Sequence, residues 1–266
     1  MKNVLVVGGG SYIGQAFVEY ADTSLFNVVN IGARNGEWLN VDFSKFDTVL
    51  HCAGIAHVAQ KKNMRELYYK VNCDLAVEVA KMAKSAGVGQ FVFLSSVAAV
   101  KPDINDFYGG SKLKAEGELL SFDGGMAICI LRPPMVYGYG CKGNFPRLVK
   151  LAKAFPIFPN IQNRRSMIYI DNLCEFISRA ILKNKSGIHL PQNAEYVNTT
   201  ELVQLIAKLY GKKIRTTKVF NPLIRLFAQI IKSLDKLFGN LAFEMSGDEG
   251  EYNVVEFVDG VKRSLV

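Results

Sequence analysis

The chain has 266 residues and a formal net charge of +8, with 49% hydrophobic and 21% charged residues. This is the size and composition of one large α/β domain, or one domain with a small lobe. No basic stripe interleaved with aromatic residues and no nucleic-acid motif accompanies the positive charge, so small anions rather than nucleic acid are the expected partners.

Residues Val4–Val7 form a short β-branched run that ends at Gly8-Gly9-Gly10. A helix is predicted from Tyr12 to Tyr20, and strands at Val28–Ile31 and Thr48–Cys52. Leu67, Val71, Leu75, Val79 and Met82 recur every three or four residues, which predicts a helix within 63–86. Phe91–Leu94 reads as a strand, 107–121 as a helix and Ala127–Leu131 as a strand. Alternation of this kind predicts a parallel sheet covered by helices on both faces. After Pro133-Pro134 the alternation loosens, and 138–163, rich in Gly, Pro and Asn, reads as a loop-rich region. Thr200–Tyr210 reads as a helix capped by Thr199 or Thr200 and stopped by Gly211. The amphipathic stretch 219–238 is interrupted by charged residues, so it reads as core packing, with lying on a membrane surface as the alternative, and not as a membrane span.

The five cysteines (52, 73, 129, 141, 174) include no C-x-x-C pair, and the three histidines have no ligand spacing. Reduced thiols in a cytoplasmic protein, without a metal, are the expected state. Met1-Lys2 runs straight into a strand, so no signal peptide is read.

Between the first strand and the first helix lies Val7-Gly8-Gly9-Gly10-Ser11-Tyr12-Ile13-Gly14. In that context glycines permit a tight turn and close approach to a pyrophosphate at a helix N-terminus. An ATP-type loop is excluded, because no Gly-Lys-Ser/Thr follows. The second strand runs into Arg34, with no acid directly on its end. An arginine there suits a 2′-phosphate, so NADP(H) is favoured over NAD(H), a solvated surface arginine being the alternative. Asp42 could accept from an adenine amino group, or could simply cap a turn.

Tyr108 and Lys112 are four residues apart on a predicted helix and share a face. An ammonium beside a phenol favours the phenolate, so the pair predicts a lowered Tyr108 pKa and a usable proton donor or acceptor.

Together these residues resemble the extended short-chain dehydrogenase/reductase superfamily, in its NAD-dependent epimerase/dehydratase branch. The resemblance is carried by Gly8–Gly14, His51-Cys-Ala-Gly54, Asn72, Ser95-Ser96, Tyr108-x-x-x-Lys112, Arg132-Pro-Pro-Met-Val-Tyr-Gly138 and Arg165-Ser-Met-Ile-Tyr-Ile-Asp171. A Rossmann-type doubly wound sheet is implied over 1–135, with a return of the chain near 166–187. A small, mostly C-terminal substrate lobe is implied over 136–165 and 188–266.

The resemblance implies that Gly8, Gly10, Ser11, Tyr12, Ile13, Gly14, Arg34, Asp42, Ala53, Gly54, Asn72, Lys112 and Pro133 line the cofactor. Ser96 would bond the sugar C4 oxygen, Tyr108 exchange its proton, and Lys112 bond the nicotinamide ribose. Asn144 and Arg147 would contact a UDP-sugar, and Arg165 its diphosphate. Two copies commonly pair through two helices in this superfamily, and 63–86 and 107–121 are the segments available.

Cys141-Lys-Gly-Asn-Phe-Pro-Arg147, Phe158-Pro-Asn-Ile161 and Leu237-Phe-Gly-Asn-Leu241 resemble a narrower group. It contains bacterial UDP-glucose 4-epimerase-like proteins and 4-keto-reductases of UDP-N-acetyl-6-deoxyhexoses that serve surface polysaccharide synthesis. Reduction at C4 is the favoured expectation, 4-epimerisation the alternative, and a dinucleotide-binding regulator without catalysis the third. Three departures accompany the likeness. Ser11 replaces the usual middle glycine, Ala99-Val100-Lys101 replaces the usual Val-Tyr-Gly, and only eleven residues separate Ser96 from Tyr108. Val97-Ala98 stands where a 4,6-dehydratase carries an Asp-Glu pair, so dehydration is not the expected reaction.

Overall fold

Six parallel strands build one sheet: β1 (Lys2–Val7), β2 (Phe26–Ile31), β3 (Thr48–His51), β4 (Gln90–Leu94), β5 (Ala127–Leu131) and β9 (Gly187–His189). Their order is β2-β1-β3-β4-β5-β9. The central strands are continuous apolar runs because helices cover both faces. This computed structural model describes the chain except for residues 57–59, 61, 123, 220, 223–225, 227–236 and 248. Most of the amphipathic stretch 219–238 therefore lies outside the described residues.

The chain leaves β1 toward β2 on one side and returns to β3 on the other. In a doubly wound sheet this reversal opens a crevice at the carboxyl ends of the strands. The loop after β1 carries Gly8–Gly14, and the loop after β3 carries Ala53 and Gly54.

Helix α1 (Tyr12–Tyr20) follows the glycine loop. The predicted helix within 63–86 comprises α2 (Arg65–Tyr69), a π-helical turn (Lys70–Asp74) and α3 (Leu75–Ser85). Leu5, Val7, Val49, Phe91, Phe93, Ile128 and Ile130 of the sheet pack against Ala76, Val79, Ala80 and Ala83 of α3. Ala115 and Leu119 of α4 (Phe107–Leu120) complete that core. The alanines let α3 lie close to the sheet, and each large side chain removed from water contributes about 1.5–3 kcal/mol. Buried Gln90 accepts from the Thr48 hydroxyl at 3.2 Å and donates to the carbonyls of Ala180 and Lys185 at 2.9 Å each.

The chain divides into two units, Met1–Pro134 with Leu173–Pro191, and Met135–Asn172 with Gln192–Val266. In the second unit β6 (Met135–Tyr137) pairs with β8 (Met167–Tyr169), and β7 (Ile157–Pro159) with β10 (Arg215–Thr217). Its helices include α5 (Asn144–Ala154), α7 (Thr199–Leu209), α8 (Glu249–Tyr252) and α9 (Phe257–Arg263), while α6 (Ile170–Leu182) leads from this unit into the first. The Tyr137 ring lies 5.3, 5.5 and 6.1 Å from those of Phe145, Tyr169 and Phe257.

Two expectations are corrected here. The predicted loop region 138–163 contains α5, because Pro146 falls in the first helical turn, where an N–H needs no intrahelical partner. Phe145, Leu148 and Ala152 then bury one face of that helix. The cap of α7 is Asn198, whose side-chain oxygen accepts from Thr200 and Glu201 N–H at 2.8 and 3.2 Å. The Thr200 hydroxyl donates instead to the Pro159 carbonyl at 3.0 Å. Among the described residues no helix is long and apolar enough to cross a membrane.

Candidate active site

The turn after β1 is built for close approach. Gly8 has a φ of +95°, and a Cβ on it would lie 2.4 Å from the Ala53 nitrogen. The N–H groups of Gly8 and Gly9 donate to the Ile31 carbonyl at 3.0 and 3.1 Å. Ser11 caps α1, its hydroxyl accepting the Gly14 N–H at 3.1 Å. A Cβ on Gly14 would press on that hydroxyl at 2.9 Å and on the Gly8 carbonyl at 3.0 Å. Gly10 is exposed, and a Cβ there would meet nothing within 4 Å. The loop therefore offers an open backbone face at a helix N-terminus, which fits a dinucleotide pyrophosphate. Tyr12 and Ile13, in the first turn of α1, are half-buried.

Past β2, Arg34 is exposed. Asp42 caps a short 3-10 turn, its Oδ1 accepting from the Ser44 N–H at 3.2 Å and the Ser44 hydroxyl at 2.6 Å.

At the end of β3, Ala53 is buried and Gly54 exposed. Asn72, on the π-helical turn, is fully buried and clamps this loop. Its amide accepts from Ile55 N–H at 2.8 Å, donates to Ile55 O at 3.1 Å and donates to the Ser111 hydroxyl at 3.0 Å. Ser111 in turn donates to the Tyr108 carbonyl at 2.9 Å. Asn72 thus ties the β3 loop to the helix of Tyr108, and a π turn is a recurrent way to aim such a side chain.

Ser96 follows β4. Its hydroxyl accepts the Ala98 N–H at 3.2 Å, and its side chain is near enough to the Tyr108 phenol to lower that group's pKa. The short segment that follows folds tightly onto the first turn of α4: a Cβ on Gly109 would lie 2.4 Å from the Ala98 carbonyl. The Val97 N–H donates to the carbonyl of buried Pro133 at 3.2 Å, so the end of β5 also supports the Ser96 loop.

Lys112 is buried. Its ammonium donates to the Leu94 carbonyl at 2.7 Å and lies 4.5 Å from the centre of the Phe93 ring. A Cβ on Gly54 would stand 3.3 Å from the same nitrogen. Burial lowers the Lys112 pKa to about 8, against the raising influence of Cys52 and Glu116. The Tyr108 pKa is raised, chiefly by burial, with Ser96 lowering it and Asp106 and Tyr68 raising it. The lowering by Lys112 expected from the spacing is thus overturned. The ammonium is turned to Leu94, and desolvation of the phenol dominates.

Two supporting groups are not apparent from the motifs. Gln60 accepts the Phe107 and Tyr108 N–H groups at 2.6 and 3.3 Å and donates to Asp106 at 3.0 Å, capping the helix of Tyr108 from a distant loop. Glu116, on the buried face of that same helix, receives the Ser95 hydroxyl and a two-pronged bond from Arg132. The i,i+4 spacing of Lys112 and Glu116 was the available signal for the second; Gln60 had none.

In the second unit, Asn144 and Arg147 lie three residues apart in the first turn of α5, Asn144 half-buried and Arg147 exposed. Gly143 at the N-cap supplies no side-chain cap. Arg165 is buried, its guanidinium donating to the Gly239 carbonyl at 2.9 Å.

With this geometry in hand, comparison with known proteins is decisive at the family level. The model of the NAD dependent epimerase/dehydratase family matches residues 4–193. The chain belongs to that family. It is 33% identical over 265 aligned residues to a UDP-glucose 4-epimerase of Vibrio cholerae, covering 88% of this chain and 80% of the relative. It is 26% identical to an N-acetyl-alpha-D-glucosaminyl-diphospho-ditrans,octacis-undecaprenol 4-epimerase of Escherichia coli O157:H7, covering 89% and 81%. The fold matches the crystal structure of dTDP-4-dehydrorhamnose reductase from Bacillus anthracis in complex with NADP, with a TM-score of 0.74 and 16% identity over 100% of this chain and 99% of that one. The family member is an enzyme of the extended short-chain dehydrogenase/reductase type with a Rossmann-like fold.

Proposed function

We propose that this enzyme transfers a hydride at C4 of a UDP-linked sugar, and that it reduces the 4-keto group of a UDP-4-keto-6-deoxy-N-acetylhexosamine for surface polysaccharide synthesis. The observation that carries the reading is the placement of the Ser96 side chain near the Tyr108 phenol, with the Lys112 ammonium held beside Gly54. Val97 and Ala98, which move no protons, follow Ser96 and leave no acid/base pair for dehydration.

A bound nicotinamide dinucleotide supplies the hydride donor or acceptor. The chain supplies the rest. The glycine loop holds the pyrophosphate, and one ammonium proton of Lys112 is spent on Leu94, leaving two to bond ribose hydroxyls. As C4 is reduced, its oxygen takes the phenol proton of Tyr108, which solvent later replaces. The Ser96 oxygen accepts from Ala98 N–H, which leaves its own proton to stabilise charge developing on O4. Asn144, Arg147 and Arg165 are proposed to contact the UDP-sugar, Arg165 exchanging its Gly239 carbonyl for a diphosphate oxygen.

The test is incubation with NADH or NADPH and UDP-2-acetamido-2,6-dideoxy-hexos-4-ulose, followed at the nicotinamide absorbance. Stoichiometric cofactor consumption supports reduction, and Tyr108→Phe should abolish it while cofactor binding persists. The Vibrio cholerae and Escherichia coli relatives are both 4-epimerases, which favours a second reading, C4 epimerisation. No cofactor consumption, with interconversion of UDP-GlcNAc and UDP-GalNAc, would select it.

A further inference from the structure

The positive charge of the chain is unevenly spread. Residues 148–158 and 202–219 hold seven Lys/Arg and no Asp or Glu, whereas the whole chain has 32 basic and 24 acidic residues. Nearly all of the net +8 therefore sits in these two segments, and both belong to the second unit. The fold brings them together. Strand β7 pairs with β10, Ile157 opposite Arg215, and the Arg215 N–H donates to the Pro156 carbonyl at 2.9 Å. The Lys212 ammonium donates to the Lys153 carbonyl at 2.6 Å, and the Lys153 ammonium lies 4.0 Å from the centre of the Tyr210 ring. The C-terminal ends of α5 and α7 thus stand side by side.

Lys153 and Lys212 are used in these contacts. Lys150, Lys208, Lys213, Arg215 and Lys218 are exposed and pair with no carboxylate among the described residues. Large apolar side chains stand among them: Phe155 is 54% exposed, Ile157 49% and Val219 76%. Register partners in a strand pair share a face, so Ile157 and Arg215 point the same way, while Phe158, the next residue, is buried on the other side. A lysine in a last helical turn complements the helix dipole, but Lys213, Arg215 and Lys218 lie beyond α7 and have no such use. A solvated basic face needs no exposed phenylalanine or isoleucine, and an acidic protein would answer the charge alone. A lipid surface answers both, since anionic headgroups attract Lys and Arg while apolar side chains enter the boundary beneath them. We propose that this face of the second unit docks the enzyme reversibly on an anionic lipid surface.

Cosedimentation of the full chain with vesicles of phosphatidylcholine, with and without phosphatidylglycerol, tests it. Wild type should bind the anionic vesicles at least about tenfold more tightly than the neutral ones, and high salt should weaken that binding. Lys213→Glu/Arg215→Glu/Lys218→Glu should weaken it at least about a hundredfold, and Phe155→Ser/Ile157→Ser at least about fivefold. Both variants should melt with wild type, because all five side chains are exposed. Failure of wild type to bind vesicles, equal binding to the two kinds, or undiminished binding by either variant overturns the proposal. Polyglutamate that binds as tightly as the anionic vesicles, at matched charge, also overturns it and assigns the face to an acidic protein.

Discussion

The Lys112 ammonium donates to the Leu94 carbonyl oxygen at 2.7 Å, inside a core where burial lowers its pKa to about 8 from an ordinary 10.5. The unfolded chain keeps that proton between pH 8 and 10.5 while the folded chain releases it, so this group makes stability rise with pH across the window. Relative to Lys112→Met, wild type should gain about 3 kcal/mol between the two ends, measured by urea unfolding at each pH. A constant difference would mean that the ammonium is not desolvated.

His51 gives the complementary acid signal. It is fully buried between Phe91 and Phe93, ring centres 5.9 and 6.0 Å away, and neither ring nitrogen has a partner among the described residues. Burial, with help from the Lys112 charge, lowers its pKa to about 3. Unfolded histidine takes a proton below about 6.5. The stability linked to neutral His51 is thus complete above that value and is lost as pH falls toward 3. His51→Phe should flatten the acid limb of the stability curve by about 1.4 kcal/mol per pH unit in that range. Parallel acid limbs in the two proteins would refute the assignment.

Gln60 positions Tyr108 by holding its backbone N–H. Gln60→Ala removes the acceptor of two N–H groups at the start of α4. A lost cap costs about 1 kcal/mol, and a displaced phenol should lower kcat by about ten- to a hundredfold. The KM for the dinucleotide should stay near wild type, because the glycine loop is untouched. A KM effect without a kcat effect would contradict this role.

The Arg132–Glu116 pair lies largely out of water, with side-chain exposures of 15% and 2%. Glu116→Gln strands the Arg132 charge and should cost about 3–5 kcal/mol, whereas the double change Glu116→Gln/Arg132→Met should cost less than the sum of the singles. Chemical denaturation of the four proteins forms the cycle; additive costs would show that the two groups do not interact.

The strands, the glycine loop and the helix of Tyr108 were legible because local patterns set them. β-branched runs, three-to-four periodicity and strand–Gly–helix order all act within about a dozen residues. What escaped depends on contacts distant in sequence. Gln60 meets Tyr108 across 48 positions, and the helical start of α5 was hidden by Gly143 and Pro146, which read as loop until their place in the first turn is known. The Tyr108–Lys112 spacing did put both residues on one helix, but the sign of the phenol shift depends on its surroundings.

Gly8 and Gly10 separate folding from binding within one loop. At Gly8 a methyl would strike Ala53 at 2.4 Å and demand a φ of +95°, so Gly8→Ala should lower the melting temperature as well as abolish dinucleotide binding. At Gly10 a methyl meets no protein atom within 4 Å. It would project from the backbone face proposed to receive the pyrophosphate. Gly10→Ala should therefore fold with wild-type stability yet weaken dinucleotide binding by at least about tenfold, because a pyrophosphate held by backbone N–H groups cannot approach past a Cβ. Thermal denaturation with and without NADH reads both effects: the free proteins should melt together, and only wild type should be raised by the ligand. If Gly10→Ala is stabilised by NADH as much as wild type, the pyrophosphate lies elsewhere on the loop.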